Sequence, residues 1–437
     1  MMKKYLLNIQ ICLLIFFLLG CRQSGVDNAN GPEVIDFLQQ IGNYQKAHLS
    51  EFVTELEYIP LETGDNCLIG SGVLKENIIV TKSHIFIAAQ TYCYAFSRNG
   101  KFITEIGRVG QGPGEYTAIA GISIDKKKQS LYMELLPSAI LEYSWDGVFR
   151  RSIELPTNRL DGVFFVRDSL FLGHKPNYSG NEEYHYFLFD TSGQIIKTFD
   201  NHVKIERSAI SWTVMERSIK PFRLSDCIYV KERSNDTLYC LNEQDELIPQ
   251  FVFNLGKYAY TKERRANSDV IEGLKGVIEL PFFPFPIFGA SNYIFFSAFP
   301  NNVDIPLPKG RIRERKELPP GAVLVNPHYG PDNPVAFPLG IYDMVNKTTR
   351  LLDTDPVSRE MGLINDLDGG LSFWPFYCNS DNELVDIWQA YTMKEDLIEE
   401  YFAKQTMKDQ QAHQKLRELV KNLKEDDNPV IVVAKLK

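Results

Sequence analysis

Five short turns recur along the chain at nearly constant intervals, and their spacing constrains the fold more than any other feature. In three of them an aromatic residue precedes a turn glycine by four positions: Phe96–Gly100, Tyr143–Gly147 and Phe189–Gly193. The glycines lie 47 and 46 residues apart, about the period of a four-stranded propeller blade. Weaker copies follow at Asn242–Asp245 and Asp343–Asn346. The spacing predicts an all-β chain of repeated four-stranded antiparallel blades.

Runs of β-branched and aromatic residues, bounded by Gly, Asn, Asp or Ser, lie between these turns and predict strands. We place five blades at residues 67–107, 116–155, 160–200, 210–255 and 285–352. The interval from Asp245 to Asn346 is 101 residues, about two periods for one blade, which indicates insertions. A helix is predicted over Tyr260–Gly276, and Asn301–Pro338 is rich in proline and lacks strand alternation.

The sixth blade has to be assembled from both ends of the chain. Strands are predicted at Phe52–Leu61, Leu371–Tyr377, Glu383–Tyr391 and Val430–Leu436, with a helix over Lys394–Lys424 before the final strand. A closed ring needs such a blade because closure removes exposed sheet edges. The predicted fold is therefore a six-bladed β-propeller of four-stranded antiparallel blades, with a C-terminal helix inserted in the last blade.

The start of the chain predicts its compartment. A basic start at Lys3 and Lys4 precedes the apolar run Ile11–Leu19, which is about half the length of a membrane-spanning helix and is typical of a signal peptide. Leu18–Cys21 resembles the lipobox of bacterial lipoproteins, in which the cysteine is acylated and becomes the N-terminus. We expect a signal peptide at 1–20, a lipidated N-terminus and tether at 21–50, and the propeller at 51–437. The alternative is ordinary secretion with Cys21 trimmed or free.

The residue after the lipidated cysteine and the charge balance refine the location. Arg22 stands where an Asp would signal retention in the inner membrane, so the sequence favours an outer-membrane lipoprotein; which leaflet it faces stays open. The chain carries 47 basic and 56 acidic residues, a net charge of −9, and the charges are well mixed. This balance argues against a nucleic-acid partner.

The cysteine pattern leaves one question open. Five cysteines lie beyond the signal and anchor, an odd number without Cys-x-x-Cys spacing, which is a poor zinc site and a poor disulfide framework. Cys227 and Cys240 lie on neighbouring strands of one predicted hairpin, and an oxidising compartment would allow them to pair. We prefer the alternative, that they are small buried hydrophobic residues.

A glycine-rich segment between the first two blades carries a family resemblance. Gly107–Tyr116, followed by Ile122–Asp125, resembles the junction of NHL-type propellers. The whole chain resembles the six-bladed propeller lipoproteins of Gram-negative gut bacteria, a TolB-like architecture, through this segment, the lipobox, Ile59–Thr63 and the terminal Asp427–Lys437. The resemblance implies the propeller fold and an envelope location, and it adds little chemistry.

The same segment is the first candidate binding element. Closely placed glycines permit a tight backbone path with exposed N–H groups, which would form an anion-binding nest. The alternative, which we prefer, is an inter-blade turn that locks an acidic and an aromatic side chain against the next blade. The candidate residues are Gly110, Gln111, Gly112, Gly114, Glu115 and Tyr116.

Aromatic rings are the second candidate. Trp145 lies within a predicted turn and is the best candidate for an exposed ring on which a sugar would stack. Packing between blades uses such rings as well, and for any one ring we prefer core packing.

Two functions from different classes remain. The sequence lacks a Gly-x-Ser-x-Gly elbow and a His-Glu-x-x-His pair, and its seven histidines form no spaced ligand pair, so no catalytic or metal-binding residue is assigned. We therefore expect a lipid-anchored recognition protein for a glycan, peptide or envelope partner, with no cofactor. The alternative is a hydrolase or lyase of the six-bladed kind, holding a divalent metal such as calcium in the axial channel.

Overall fold

The structure is a computed structural model, and it describes most of the chain. The described residues are 31–70, 73, 75–158, 160–177, 179–204, 219–232, 235–259, 261, 282–300, 305–310 and 337–437, with side chains omitted at 282–285 and 299–300. The two excursions predicted at Tyr260–Gly276 and Asn301–Pro338 lie almost wholly outside these residues.

Six sheets form the body, and each contains a four-stranded antiparallel blade. In blades 1 to 3 the strands follow the chain in order from one edge of the sheet to the other. The strands are Ile78–Val80, His84–Ala89, Tyr92–Ser97 and Phe102–Glu105 in blade 1; Gly121–Asp125, Ser130–Leu135, Ala139–Ser144 and Phe149–Glu154 in blade 2; and Gly162–Arg167, Leu170–His174, Tyr184–Asp190 and Ile195–Asp200 in blade 3.

The remaining three blades confirm the predicted six-bladed propeller. Their strands are Phe222–Leu224, Cys227–Val230, Thr237–Leu241 and Leu247–Phe253 in blade 4; Phe282–Ala290, Tyr293–Pro300, Leu339–Asp343 and Thr348–Leu352 in blade 5; and Tyr377–Cys378, Glu383–Trp388, Val430–Leu436 and Val53–Pro60 in blade 6. The first strands of neighbouring blades contact one another at several junctions, which places them innermost.

The repeated turn has one structural role. It joins the third and fourth strands of a blade, and it needs a residue with positive φ because the hairpin reverses within a few residues. Gly147 supplies that conformation in blade 2 with φ +84°, and Asp245 and Lys347 supply it in blades 4 and 5 with φ +58° and +54°. The later turns were harder to recognise in the sequence because they use residues other than glycine.

Both ends of the chain meet in blade 6, as predicted. Val430–Leu436 pairs antiparallel with Glu383–Trp388 on one side and with Val53–Pro60 on the other. The register places Val430 opposite Pro60 and Ile431 opposite Ile59. Because Val430, Ile431 and Val432 are fully buried, the final strand lies in the core of the blade rather than at its edge.

The second half of the expected tether at 21–50 is part of the folded propeller in the structure. Glu33–Ile35 adds a parallel strand to Leu247–Phe253 of blade 4, and Tyr44–Gln45 adds one to Thr348–Leu352 of blade 5. Ile35 is fully buried. The folded body therefore begins near residue 33 rather than 51, because this segment covers the outer edges of two blades.

The helical insertion in blade 6 consists of three helices rather than the single one predicted. They are Ala390–Asp396, Glu399–Phe402 and Gln410–Asn422, and the last begins at Asp409, whose carboxylate accepts from two backbone N–H groups. The other helical elements among the described residues are Leu49–Phe52 and the 3₁₀ turns Leu38–Gln40, Lys75–Asn77 and Gly256–Tyr258. No helix among the described residues is long and apolar enough to cross a membrane.

Cys227 and Cys240 form a disulfide, so the preferred interpretation of two unpaired hydrophobic residues was wrong. Their Cα atoms lie 5.5 Å apart on the second and third strands of blade 4. Three other cysteines are free: Cys67, Cys93 and Cys378.

Candidate functional site

The glycine-rich segment is an inter-blade turn whose N–H groups are already used by the segment itself. The Glu115 carboxylate accepts from the Gly112 N–H at 2.9 Å and from Arg108 Nε at 2.6 Å. These bonds, that from Gly112 first, lower the pKa of Glu115. The Gly110 N–H donates to the Tyr116 carbonyl at 2.9 Å. The nest that an external anion would enter is filled by the side chain of Glu115, while Gln111 is exposed beside it.

Packing explains the other candidate positions of this segment. Tyr116 is buried in the core between blades 1 and 2. Tyr143 donates its hydroxyl to the Gly114 carbonyl at 2.7 Å. Gly114 has φ +73°, and a Cβ there would lie 2.7 Å from Phe149 Cγ. The segment locks blade 1 against blade 2, which is the alternative that the sequence favoured.

Trp145 is buried, which excludes it as an exposed stacking ring and agrees with core packing, the preferred alternative. Only 6% of its surface is exposed. Its ring packs edge-on against Phe86 and His84, and Nε1 donates to the Ser130 carbonyl at 3.2 Å. The turn that carries Trp145 folds the side chain back onto blade 1.

A cavity of about 410 Å³ lies on the axis of the ring and is a candidate site. The first strand of every blade contributes to its wall, because the twist of each blade brings that strand to the centre of the ring. Apolar side chains form much of the wall, including Ile79, Ile124, Phe164 and Ile287. Its volume falls in the range typical of small-molecule sites.

Three of the six basic side chains at the wall of this axial cavity are paired with a carboxylate, namely Lys75, Lys126 and Arg167. Lys75 Nζ lies 2.7 Å from Asp386 Oδ1, and Lys126 Nζ lies 2.6 Å from Asp381 Oδ2. These pairs leave little free charge at their positions.

Arg223 is one of three basic wall residues, with Lys127 and Lys220, that have no carboxylate ion pair among the described residues. Its Nη2 donates to the carbonyls of Phe165, at 2.9 Å, and Val166, and its guanidinium lies over the Phe164 ring at 5.5 Å. No carboxylate described by the structure pairs with it, and burial and then Arg167 lower its pKa. Arg167 is itself paired with Asp245, whereas Arg223 keeps N–H donors that the two carbonyls do not use and that suit a carboxylate.

A polar side pocket of about 130 Å³ adjoins the axial cavity where the first strands of blades 1 to 4 begin. Glu134 lies at its wall, 7% exposed, and accepts from the Val163 N–H at 3.2 Å. Burial raises the pKa of Glu134 to about 7, although Lys220 and the Val163 N–H oppose the rise. Loss of hydration inside the protein lowers the pKa of Lys220, whereas the negative charges of Glu134 and Glu76 raise it. The pocket therefore holds an acid that titrates near neutral pH beside an amine.

Behind this pocket, a chain of buried ionisable groups runs between blades 3 and 4. His174 Nδ1 lies 2.5 Å from Asp161 Oδ1, and His174 Nε2 lies 3.4 Å from Glu232 Oε1. His185 Nδ1 also contacts Glu232 Oε1. Burial by itself would lower the pKa of His174, but Asp161 and then Glu232 raise it to about 10, so both ring nitrogens carry protons.

Sequence reasoning missed every residue of the axial cavity and its side pocket. Glu134, His174 and Arg223 come from blades 2, 3 and 4, and none has a neighbour in the sequence with matching chemistry. No local signal was available for Lys220 and Arg223, because they are exposed cations in a stretch where the sequence predicted a blade over 210–255 but no individual inner strand. Within the described residues, no group of three or more His, Cys, Asp or Glu side chains is arranged to hold a metal ion.

The sequence also matches a known family over nearly its whole length. Residues 32–435 match the model of a domain of unknown function, DUF4934. The chain belongs to the DUF4934 family. No curated protein matches this DUF4934 chain.

One of the solved structures similar to the DUF4934 chain confirms its fold. A protein of Bacteroides fragilis described as exported is 17% identical, with a TM-score of 0.62 over 92% of this chain and 99% of that one. A member of the DUF4221 family from Bacteroides vulgatus is 11% identical, with a TM-score of 0.42 over 68% of this chain and 84% of that one. The similarity to the Bacteroides fragilis structure confirms the propeller fold that the sequence predicted.

Proposed function

We propose that this protein is a recognition protein of the cell envelope that binds a small organic anion with an apolar body in the axial cavity. The observation that carries the proposal is the Arg223 guanidinium, which lies at the cavity wall without a carboxylate partner among the described residues. An uncompensated cation in a partly desolvated site favours an anionic ligand.

The wall of the cavity narrows the ligand class. Ile79, Ile124 and Phe164 offer apolar contact on the strands around Arg223. A ligand therefore binds most tightly if its anionic group is attached to an apolar group that packs on these side chains. A peptide with a free C-terminal carboxylate and apolar side chains has this chemistry. A neutral glycan does not, since it would leave the guanidinium unpaired.

A matched pair of ligands tests the proposal by isothermal titration calorimetry. N-acetyl-Leu-Phe with a free C-terminus should bind at least roughly tenfold more tightly than its C-terminal amide, the typical worth of a charge-assisted hydrogen bond. The Arg223→Gln variant should abolish that difference, whereas Arg108→Gln, at an exposed loop, should retain it. Equal affinities for acid and amide, or binding by neither, would contradict the proposal.

A second candidate function is a hydrolase or lyase acting in the side pocket. It is favoured by Glu134, whose pKa of about 7 suits a general acid or base, next to Lys220. A metal-dependent form would use a divalent ion such as calcium. Metal analysis of the purified protein, with thermal unfolding measured in calcium and in chelator, tests the metal-dependent form. A stoichiometric, tightly held metal supports that form, and unchanged unfolding contradicts it.

We also propose that acylated Cys21 holds the propeller on the outer membrane. The signal-like run Ile11–Leu19, the lipobox-like Leu18–Cys21 and a structural relative described as exported support this location. Cys21→Ser should move the protein from the membrane fraction to the soluble fraction. A variant that still sediments with membranes would show that the anchor is not what holds it.

A further inference from the structure

One lysine side chain crosses the centre of the ring. Lys220 precedes the first strand of blade 4, and its Nζ donates to the carbonyl oxygen of Glu76, which precedes the first strand of blade 1. Blades 1 and 4 lie on opposite sides of a ring of six. The Lys220 side chain therefore lies between the axial cavity and the polar side pocket, and it forms part of both walls.

The amine of Lys220 can be reached from these cavities although protein surrounds it. Lys220 is an exposed residue, and because it lies inside the ring, its exposure is to the cavities. Loss of hydration at this place lowers its pKa, and the charges of Glu134 and Glu76 offset only part of that effect. A lysine in such a position is more often neutral than one at the outer surface, and a neutral amine is a nucleophile.

The contacts of Lys220 leave its amine free to react. Among the described residues, no carboxylate forms an ion pair with it. Its bond to the Glu76 carbonyl uses one N–H, so a neutral amine keeps its lone pair for another partner. A desolvated lysine without a paired carboxylate has the chemistry of those that form Schiff bases.

Glu134 supplies an acid in the same side pocket. Burial raises its pKa to about 7, so at neutral pH it is protonated in about half of the molecules. Addition of an amine to a carbonyl group requires a proton for the oxygen, and the departure of water requires another. A carboxyl group that titrates near neutral pH both gives and takes such protons.

The size and the apolar part of the side pocket limit the partner. A volume of about 130 Å³ holds a molecule of only a few heavy atoms. Val163, Leu172 and Ile219 provide apolar surface at its wall. A short carbon chain therefore fits beside the amine.

The charges at the wall favour a neutral partner. With Lys220 neutral, the His174 imidazolium is the one cation among the described wall residues. Three acidic groups, Glu76, Glu134 and Asp161, lie at the same wall. An anionic carbonyl compound would meet these groups, so an uncharged one is preferred.

We propose that Lys220 binds a small neutral aldehyde or ketone covalently, as a Schiff base in the side pocket. The amine attacks the carbonyl carbon and forms the C–N bond, while the C=O π pair moves to the oxygen, which takes the proton of Glu134. Glu134 then takes a proton from the nitrogen and passes it to the hydroxyl, which leaves as water. The nitrogen lone pair completes the C=N bond of an iminium, and no oxidant or reductant is consumed.

This inference rests on the second candidate function in using its pocket, and it gives that function a substrate class. Reductive trapping tests it on the whole protein, with butanal and sodium cyanoborohydride at pH 7 and peptide mass mapping of each lysine. Lys220 should be alkylated at least about tenfold faster than Lys127, an exposed lysine at the axial cavity. The comparison is made within the parent protein, so it does not depend on a variant that folds.

Variants assign the roles of the two residues. Lys220→Arg should remove the fast reaction, whereas Lys127→Arg should retain it. Glu134→Gln should slow the alkylation of Lys220 several-fold and leave that of Lys127 in the same sample unchanged. Loss of the Glu134 charge alone would act in the opposite direction, because it leaves more of the amine neutral.

The proposal is overturned if Lys220 reacts no faster than Lys127, or if Lys220→Arg retains the fast reaction. A Glu134→Gln variant that reacts as fast as the parent would overturn the assignment of Glu134 as the acid. Trapping measures Schiff-base formation without turnover, so it can succeed where the second candidate function fails. Failure of trapping would leave the anion site standing, because the acid and amide peptides test that site separately.

Discussion

The side-chain amide of Asn428 donates a hydrogen bond of 2.7 Å to the carbonyl oxygen of Glu62. This contact joins the segment before the final strand of the chain to the segment that follows Val53–Pro60. The same nitrogen donates to the Cys67 carbonyl at 2.8 Å, and Oδ1 accepts from the Ile69 N–H at 2.8 Å. Asn428 is 1% exposed. Ring closure therefore rests on a buried side chain as well as on strand pairing.

Asn428→Ala should lower the free energy of unfolding by about 3 kcal/mol, because it leaves two buried backbone groups, of Cys67 and Ile69, and a partly buried one, of Glu62, without this partner. Thermal or urea unfolding measures the loss. Asn422→Ala, at an exposed helix end, is the matched control and should change stability little. Equal effects of the two substitutions would show that the buried amide contributes nothing to closure.

Removal of residues 430–437 should prevent cooperative unfolding of the whole body. The deletion takes the third strand out of blade 6 and leaves Glu383–Trp388 and Val53–Pro60 without their shared partner. Circular dichroism melting and size-exclusion chromatography report the result. Melting like that of the intact chain would contradict the closing role of this strand.

Glu134→Gln should stabilise the protein more at pH 8 than at pH 4.5. Burial raises the pKa of Glu134 from 4.5 to about 7, so the folded state binds a proton that the unfolded chain releases. The stability from this group is present below about pH 4.5 and is lost as pH rises through 7. The gain of the variant over the parent should grow by roughly 3 kcal/mol across this range.

The control for that titration is Glu183→Gln, which changes an exposed carboxylate. Its stability relative to the parent should vary little with pH. If the stability of Glu134→Gln relative to the parent varies as little with pH, the pKa of Glu134 is not raised by burial.

A form that lacks residues 1–21 should expose three thiols to a thiol reagent when it is unfolded without reductant. After reduction it should expose five. Cys227 and Cys240 account for the difference, because they form the disulfide. Reduction should lower stability by about 3 kcal/mol, the entropic effect of releasing a loop of this length. Five reactive thiols without reductant would contradict the pairing.

The blades could be predicted because each strand and turn is specified locally. Runs such as His84–Ala89 and Val430–Leu436 are rich in β-branched or apolar residues, and turns such as Phe96–Gly100 repeat at a regular interval. Glu33–Ile35 escaped prediction because three residues are too short to show a pattern. Its place depends on a strand more than 200 residues later in the chain.

The site could not be predicted because its chemistry is assembled across blades. Arg223 and Glu134 are single charged residues in their own sequence surroundings, and only closure of the ring brings their strands to one axis. Trp145 shows the converse: a turn position suggested exposure, whereas its contact with Phe86 buries it. Burial of such residues depends on the neighbouring blade, which local sequence does not specify.

A crystal structure of the protein with 4-iodobenzoate, an apolar ring with one carboxylate, tests the central claim most directly. The iodine locates the ligand by its anomalous signal. The account predicts a peak in the axial cavity with the carboxylate at hydrogen-bond distance from Arg223. A peak only elsewhere on the molecule, or none in the cavity, would contradict it.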